Sequence, residues 1–165
     1  MNRYTLFIFN ISIILLTGCH SKQERIIPTT ISTLPSFNII SIDSSRYITT
    51  TSIPNGQPLL FIYLSPNCEY CQHEARELVR QREEIKGVYV YIITNGSLLE
   101  TNKFFQEYHL GLIQNIFVGN DYENSFYNCF KPQTIPFIAV YNREKKLKKV
   151  FRGETNIKLV VNATR

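Results

Sequence analysis

Residues 58–74 read PLLFIYLSPNCEYCQHE, and this stretch decides the fold. The apolar run over 58–64 is typical of a strand that is buried on both faces. The apolar residues that follow have helical spacing and predict a helix over 71–85. Cys68 and Cys71 lie at the junction, where the free N–H groups and the dipole at the start of a helix favour a thiolate. Because the two sulfurs are one turn apart on the same side, the pattern indicates a dithiol that can close reversibly into a disulfide.

The N-terminal residues have the pattern of an export signal. One positive charge at Arg3 precedes a short, mostly apolar run, which predicts a signal peptide over 1–18 rather than a membrane-spanning helix. The sequence Leu16-Thr17-Gly18-Cys19 resembles the bacterial lipoprotein cleavage box. This resemblance implies cleavage before Cys19 and attachment of lipid to its sulfur. An uncleaved N-terminal anchor is the alternative, and both hypotheses place the folded part outside the cytoplasm.

Composition divides the rest of the chain into a tether and one domain. Residues 19–36 are rich in Ser, Thr, Pro and charge without the periodicity of a helix or strand, so we predict a lipidated N-terminus and a flexible tether. Residues 37–165 have the length and apolar content of a single domain. The formal charge of +5 is partly concentrated between Arg143 and Arg152. Positive charge of this kind can bind nucleic acid, but an exported, lipid-anchored protein would rarely meet any. Lysines on a strand edge also deter aggregation, and contact with anionic lipid headgroups is an alternative.

Four cysteines require an explanation. Cys19 is assigned to lipid, and Cys68 and Cys71 form the pair. Cys129 lies between aromatic residues, where a lone cysteine is more often a small buried hydrophobic side chain than a reactive thiol. A resolving or regulatory role for Cys129 is the alternative.

The order of elements predicts an α/β domain with a central mixed sheet, helices on its faces and an N-terminal β-hairpin. The hairpin is predicted over 37–51, and a second apolar strand over 88–94 lies parallel to the first because a helix connects them. Ser97 and Glu100 form a capping box that starts a second helix. Further elements are predicted at the ranges 115–118 (extended), 121–130 (short helix), 136–141 and 146–152 (paired strands) and 156–161 (last helix).

The chain resembles the TlpA/ResA-type branch of the thioredoxin-fold oxidoreductases, which are membrane-tethered proteins facing the cell envelope. Cys68, Cys71 and Glu74 match the Cys-x-x-Cys-x-x-Glu part of the motif of that branch, and Thr134-Ile135-Pro136 matches its cis-proline loop. The likeness extends over roughly residues 35–161 and implies a thioredoxin-like fold. The chain departs from the branch in having no Trp and in having Tyr70 where a Pro is common, which affects the partner surface more than the redox chemistry.

The chemistry of the motif assigns a role to each residue. Cys68 is the expected nucleophile, and Cys71, one turn into the helix, is expected to resolve the mixed disulfide. Glu69 opposes the helix dipole beside the attacking sulfur, which favours disulfide reduction over oxidation. The resemblance implies that Glu74 takes the proton of Cys71 rather than being an ordinary solvated side chain. It also implies that Pro136 is cis and that Thr134, Ile135 and Pro136 bind an extended partner segment by strand addition.

The predicted activity is therefore thiol-disulfide exchange with an envelope protein, in the periplasm or at the outer membrane, supplied by a membrane electron donor and requiring no cofactor. Three alternatives stay open at this point. One is a non-catalytic binding module with a thioredoxin fold. Another is a metal site built on Cys68, Cys71 and His73, although a closed zinc site needs a fourth ligand. The third is a peroxidase that uses Ser65 and Cys68.

Overall fold

The structure is a computed structural model that describes residues 29–165, with side chains from Ile31 onward. The predicted signal peptide, the cleavage box with Cys19 and residues 19–28 of the predicted tether lie outside the described residues. No helix within 29–165 is long and apolar enough to span a bilayer. The elements are α1 (Thr29–Ser32), β1 (Asn38–Ser41), β2 (Tyr47–Thr49), β3 (Leu59–Leu64), α2 (Glu69–Arg80), β4 (Tyr89–Thr94), α3 (Leu98–Glu107), β5 (Ile116–Asn120), α4 (Ser125–Phe130), β6 (Phe137–Tyr141), β7 (Leu147–Arg152) and α5 (Ile157–Asn162).

The strands form one mixed sheet in the order β2-β1-β5-β4-β3-β6-β7. Strand β3 lies near its centre, parallel to β4 on one side and antiparallel to β6 on the other. All six β3 residues are buried, as the continuous apolar run predicts. The N-terminal hairpin β1–β2 joins the sheet through β5, where Gly119 faces Ser41; a side chain at Gly119 would collide with the carbonyl oxygen of Ile40. The predicted α/β fold class and the hairpin extension are confirmed.

Alternate residues of β3 divide the interior into two cores. Leu60, Ile62 and Leu64 face a core that α2, α3 and α5 cover, and this core includes Cys71. Leu59, Phe61 and Tyr63 face the opposite core, which contains the aromatic residues of α4 and the N-terminal segment. This alternation follows from the period of two along a strand. The dithiol helix and the last helix therefore cover the same face of the sheet.

Residues 31–36 of the predicted tether pack against the domain. Ile31 is buried, and its carbonyl oxygen accepts a hydrogen bond of 3.0 Å from the hydroxyl of Tyr141. The backbone N–H of Leu34 donates to the carbonyl of Lys145 at 3.0 Å, and the hydroxyl of Thr50 donates to the carbonyl of Pro35. The packed part of the chain thus begins before the predicted boundary at residue 37. Composition alone missed this because the contacts are made by single apolar and backbone groups.

Several element boundaries differ from the predictions. Helix α2 starts at Glu69 and ends at Arg80, before the predicted end at residue 85. From Arg82 to Val88, hydrogen bonds to the third residue back replace the helical ones to the fourth. Ile85 stays buried in the turn, so its apolar spacing reflected core packing and not a helix. Helix α4 starts only at Ser125, and α3 begins with the predicted capping box of Ser97 and Glu100.

The aromatic cluster beneath α4 generates a prediction about stability. Phe126 is fully buried and stacks between Tyr63 and Phe130, with ring centroids at 5.0 and 4.3 Å. We expect Phe126→Ala to lower the free energy of unfolding by about 3–5 kcal/mol, because it removes a large buried ring and leaves a cavity. Urea denaturation measures the change. Tyr122→Ala, at a site that is 73% exposed, is the control and should change stability by less than about 0.5 kcal/mol. Equal effects of the two substitutions would contradict the assignment of this cluster as core.

Candidate active site

The two cysteines of the motif lie where β3 gives way to α2. Cys68 is the residue before the first turn of α2, and its backbone N–H donates to the carbonyl of Ser65 at 3.1 Å. Both thiols are free; Cys68 is partly exposed, whereas Cys71 is fully buried. Burial raises the pKa of the Cys71 thiol well above its usual range, and a hydrogen bond with the Cys68 side chain adds to the shift. The two sulfurs are therefore chemically distinct, since one meets solvent and the other is held protonated behind it.

Glu74 is a buried carboxyl one turn beyond Cys71. It is fully buried; its Oε2 accepts a hydrogen bond of 3.1 Å from the backbone N–H of Thr155, and its Oε1 has no hydrogen-bond partner. Burial raises the pKa of Glu74 to about 7, and the negative charges of Glu154 and Glu77 act in the same direction. The Thr155 N–H partly opposes them. The charge of Glu74 in turn contributes to raising the pKa of Cys71. A negative charge on Glu74 therefore disfavours ionisation of the Cys71 thiol.

His73 contacts the carboxylate of Glu154. Its Nδ1 lies 3.1 Å from Oε1 of Glu154, and both side chains are nearly half exposed. No group of three or more His, Cys, Asp or Glu side chains within the described residues is placed to hold a metal ion.

The Thr134-Ile135-Pro136 loop lies at the same end of the sheet as the dithiol. Phe137 pairs with Tyr63, so Pro136 is level with the last residue of β3, from which the chain continues to Cys68. The Ile135–Pro136 peptide bond is cis, which confirms that prediction. The carbonyl of Pro136 accepts a hydrogen bond of 2.8 Å from the N–H of Gly153, which follows β7. Thr134 is exposed and Ile135 is partly buried.

A depression of about 720 Å³ opens beside this loop, and the sequence did not predict it. Thr134 and Ile135 line one part of it, and Tyr63, which is 3% exposed, lies in its wall. The remainder is mostly amide and phenol groups, which come from Asn95, Asn124, Asn128, Gln133 and Tyr127. These residues come from α4 and from the loops after β4, before α4 and before β6, and they carry no motif, so no sequence signal joins them. Thr155 was missed for the same reason, because it is 81 residues away from the carboxyl that it contacts.

Asp121 holds α4 beside this depression. Its two carboxylate oxygens accept hydrogen bonds of 2.9 Å from the backbone N–H groups of Phe126 and Tyr127. Burial raises its pKa even though these bonds oppose the shift. The carboxylate therefore caps the helix from four residues before its start, which explains why α4 begins later than predicted.

The fold is that of the thioredoxin-like proteins, as comparison with solved structures shows. MTB DsbF, solved in mixed oxidized and reduced forms, superposes with a TM-score of 0.67 at 17% identity, covering 84% of this chain and 99% of that one. A secreted Mycobacterium tuberculosis disulfide oxidoreductase homologous to E. coli DsbE gives 0.63 at 17% identity, with coverages of 77% and 93%. StoA from Bacillus subtilis gives 0.62 at 14% identity, with coverages of 81% and 99%. No family model and no curated protein sequence matches the chain.

The burial of Glu74 generates a prediction about pH. Its folded-state pKa of about 7 lies above the ordinary 4.5, so the folded protein binds this proton more tightly than the unfolded chain does. Stability from this group is therefore fully present below about pH 4.5 and is lost as the pH rises to about 7. We expect Glu74→Gln to remove this loss, which amounts to up to about 3 kcal/mol between pH 5 and 8. Urea denaturation at a series of pH values measures the free energy of unfolding of both proteins.

The matched control is Glu107→Gln, which removes a carboxylate from an exposed position on α3. It should leave the slope of stability against pH unchanged. A slope that persists in Glu74→Gln would show that another group carries it.

Proposed function

We propose that this protein reduces disulfides of other proteins in the bacterial cell envelope through Cys68 and Cys71. The single observation that carries the proposal is the pairing of an accessible Cys68 with a buried Cys71 that is coupled to the buried carboxyl of Glu74. The likeness in fold to oxidoreductases supports the same class of chemistry. A purely binding module would have no need for a buried acid beside the inner thiol.

The proposed reaction has two steps. The Cys68 thiolate attacks one sulfur of the partner's disulfide, which forms a mixed disulfide and releases the first partner thiolate. Cys71 then passes its proton to Glu74 and attacks the sulfur of Cys68, which closes the Cys68–Cys71 disulfide and releases the second partner thiolate. Two electrons pass from the dithiol to the partner. A thiol donor at the membrane restores the dithiol by the reverse exchange.

Glu74 suits this role because of its environment. A carboxylate with a pKa of about 7 is a stronger base than an ordinary one, which makes it better suited to accept the proton of Cys71. Its free Oε1 has no competing hydrogen-bond donor among the described residues. Glu69, in the first turn of α2, places negative charge beside Cys68 and disfavours the thiolate, which argues for a reductant.

The loop of Thr134, Ile135 and Pro136 is proposed to bind the partner. No backbone hydrogen bond to Ile135 occurs within the described part of the chain, so its N–H and carbonyl are available to an extended segment. The depression beside Ile135 offers room for a side chain of that segment. Together these groups would hold the partner's sulfur at the end of β3, next to Cys68.

Location and anchoring follow from the N-terminal sequence and are part of this proposal. The signal peptide over 1–18, the lipid on Cys19 and the membrane attachment are inferred from the cleavage-box pattern. One of the similar structures is a secreted protein, which supports an extracytoplasmic site. Disulfide exchange also suits an oxidising compartment.

The redox cycle is tested by thiol labelling and mass spectrometry in glutathione buffers. We expect one intramolecular disulfide between Cys68 and Cys71, which makes the oxidised protein two hydrogens lighter than the reduced one. Cys129→Ser is the control and should cycle like the unmodified protein, because Cys129 is on the opposite face of the sheet. Failure to form the disulfide in any buffer would end the proposal.

A trapping experiment tests the order of events. Because the resolving thiol is absent, Cys71→Ala should accumulate mixed disulfides with envelope proteins through Cys68, seen as bands that disappear on reduction. The control Cys68→Ala should trap little, since its remaining motif thiol is buried. Stronger trapping by Cys68→Ala than by Cys71→Ala would reverse the assigned roles.

A further inference from the structure

Charge is unevenly distributed along the described chain. Residues 31–142 carry seven basic and ten acidic side chains, whereas residues 143–165 carry eight basic and two acidic ones. Six of the eight lie in the short stretch around β7, namely Arg143, Lys145, Lys146, Lys148, Lys149 and Arg152. A surface with one sign of charge attracts partners of the opposite sign.

Most of this charge lies away from the dithiol. Strand β7 is the outermost strand of the sheet, and its Arg152 pairs with Phe137 at the dithiol end. Its other end, Leu147, pairs with Tyr141, which is four residues further along β6. Strand geometry separates the two ends by roughly 13 Å. Lys148 and Lys149 therefore lie toward the end of the sheet that is opposite the active site.

An exposed leucine, Leu159, lies among the basic side chains of Lys148, Lys149 and Arg165. We call these four residues the basic edge. All four line one shallow depression, and Leu159 is 57% exposed. The three basic side chains form no ion pair within the described residues, and the ammonium of Lys149 lies over the ring of Phe151 at 4.8 Å. Lysines on an edge strand also deter strand pairing, but Arg165 is not on the strand. An apolar side chain among basic ones is the composition of a surface that lies in a layer of anionic headgroups.

The path of the chain brings the predicted tether to the same end. Thr33 forms a β-bridge with Lys146, and the N–H of Leu34 bonds to the carbonyl of Lys145. The N-terminal segment thus joins the domain at the turn between β6 and β7. Only residues 20–28 separate Cys19 from α1, a length of at most about 35 Å when fully extended. An anchor at Cys19 would therefore keep this end of the domain close to the bilayer.

We propose that the basic edge docks on anionic phospholipid headgroups of the membrane, with Leu159 entering the boundary between headgroups and acyl chains. In this orientation the dithiol faces away from the bilayer. The proposal concerns the orientation of the domain and does not depend on thiol exchange, so either can fail without the other.

Tryptophan fluorescence tests the proposal directly, because the chain contains no Trp. We would reconstitute full-length Leu159→Trp in vesicles of phosphatidylglycerol and phosphatidylcholine whose acyl chains carry bromine. The introduced indole should be quenched in the anionic vesicles, much less in pure phosphatidylcholine, and progressively less as NaCl screens the charges. Tyr122→Trp is the matched control, since residue 122 is exposed and follows β5 at the dithiol end of the sheet, and it should stay unquenched.

A charge variant completes the test. Combining Lys148→Gln, Lys149→Gln and Arg165→Gln with Leu159→Trp should lower the ratio of docked to undocked protein roughly 100-fold, because each basic residue near an anionic surface contributes about fivefold. The control removes three exposed basic side chains elsewhere, through Arg46→Gln, Lys103→Gln and Lys131→Gln, and should leave quenching unchanged.

Three results would overturn the proposal: equal quenching at positions 159 and 122, equal quenching in neutral and anionic vesicles, or no quenching at position 159. Asn162→Trp, also at the depression, gives a second probe in case Leu159→Trp does not fold.

Discussion

The placement of one strand fixes the rest of this molecule. Strand β3 is paired on both sides and buried on both faces. A shift in its register by one residue would move each of its side chains into the opposite core. Its end determines where α2 begins and hence where Cys68 is exposed. Its register with β6 determines that Pro136 lies level with that end. Two parts of the site that are far apart in sequence are thereby held together by the backbone hydrogen bonds between β3 and β6.

The candidate site changes from exposed to buried over two turns at the start of α2. Cys68 reaches solvent, whereas Cys71 and Glu74 are both fully buried, and Oε1 of Glu74 has no hydrogen-bond partner. In such surroundings each ionised group costs free energy, so the pKa of Cys71 and that of Glu74 are both raised. A single negative charge shared between the two is far less costly than two. In the proposed reaction, this arrangement would keep the Cys71 thiol protonated and unreactive until the mixed disulfide has formed.

The sequence predicted the centre of the fold better than its margins. Strand β3, the dithiol, the cis-proline loop and the capping box of α3 each have a local signal, because apolar runs, motif spacing and cap residues act over a few positions. The end of α2 and the start of α4 were misplaced, since Ile85 is buried in a turn and Asp121 caps α4 from a distance. Thr155, the depression around Tyr63 and the packing of Ile31 depend on contacts across many residues. Such contacts arise only from the tertiary arrangement.

The short segment after β7 touches both halves of the site. The N–H of Gly153 binds the carbonyl of Pro136, and two residues later the N–H of Thr155 binds Glu74. If the proline loop binds a partner as proposed, this segment would contact both the bound partner's site and the carboxyl of Glu74. If binding of a partner changes the pKa of Glu74, thermodynamic reciprocity requires that protonation of Glu74 changes the affinity for the partner by the same free energy. Under the proposed function, partner recognition and the proton affinity of Glu74 would therefore be linked.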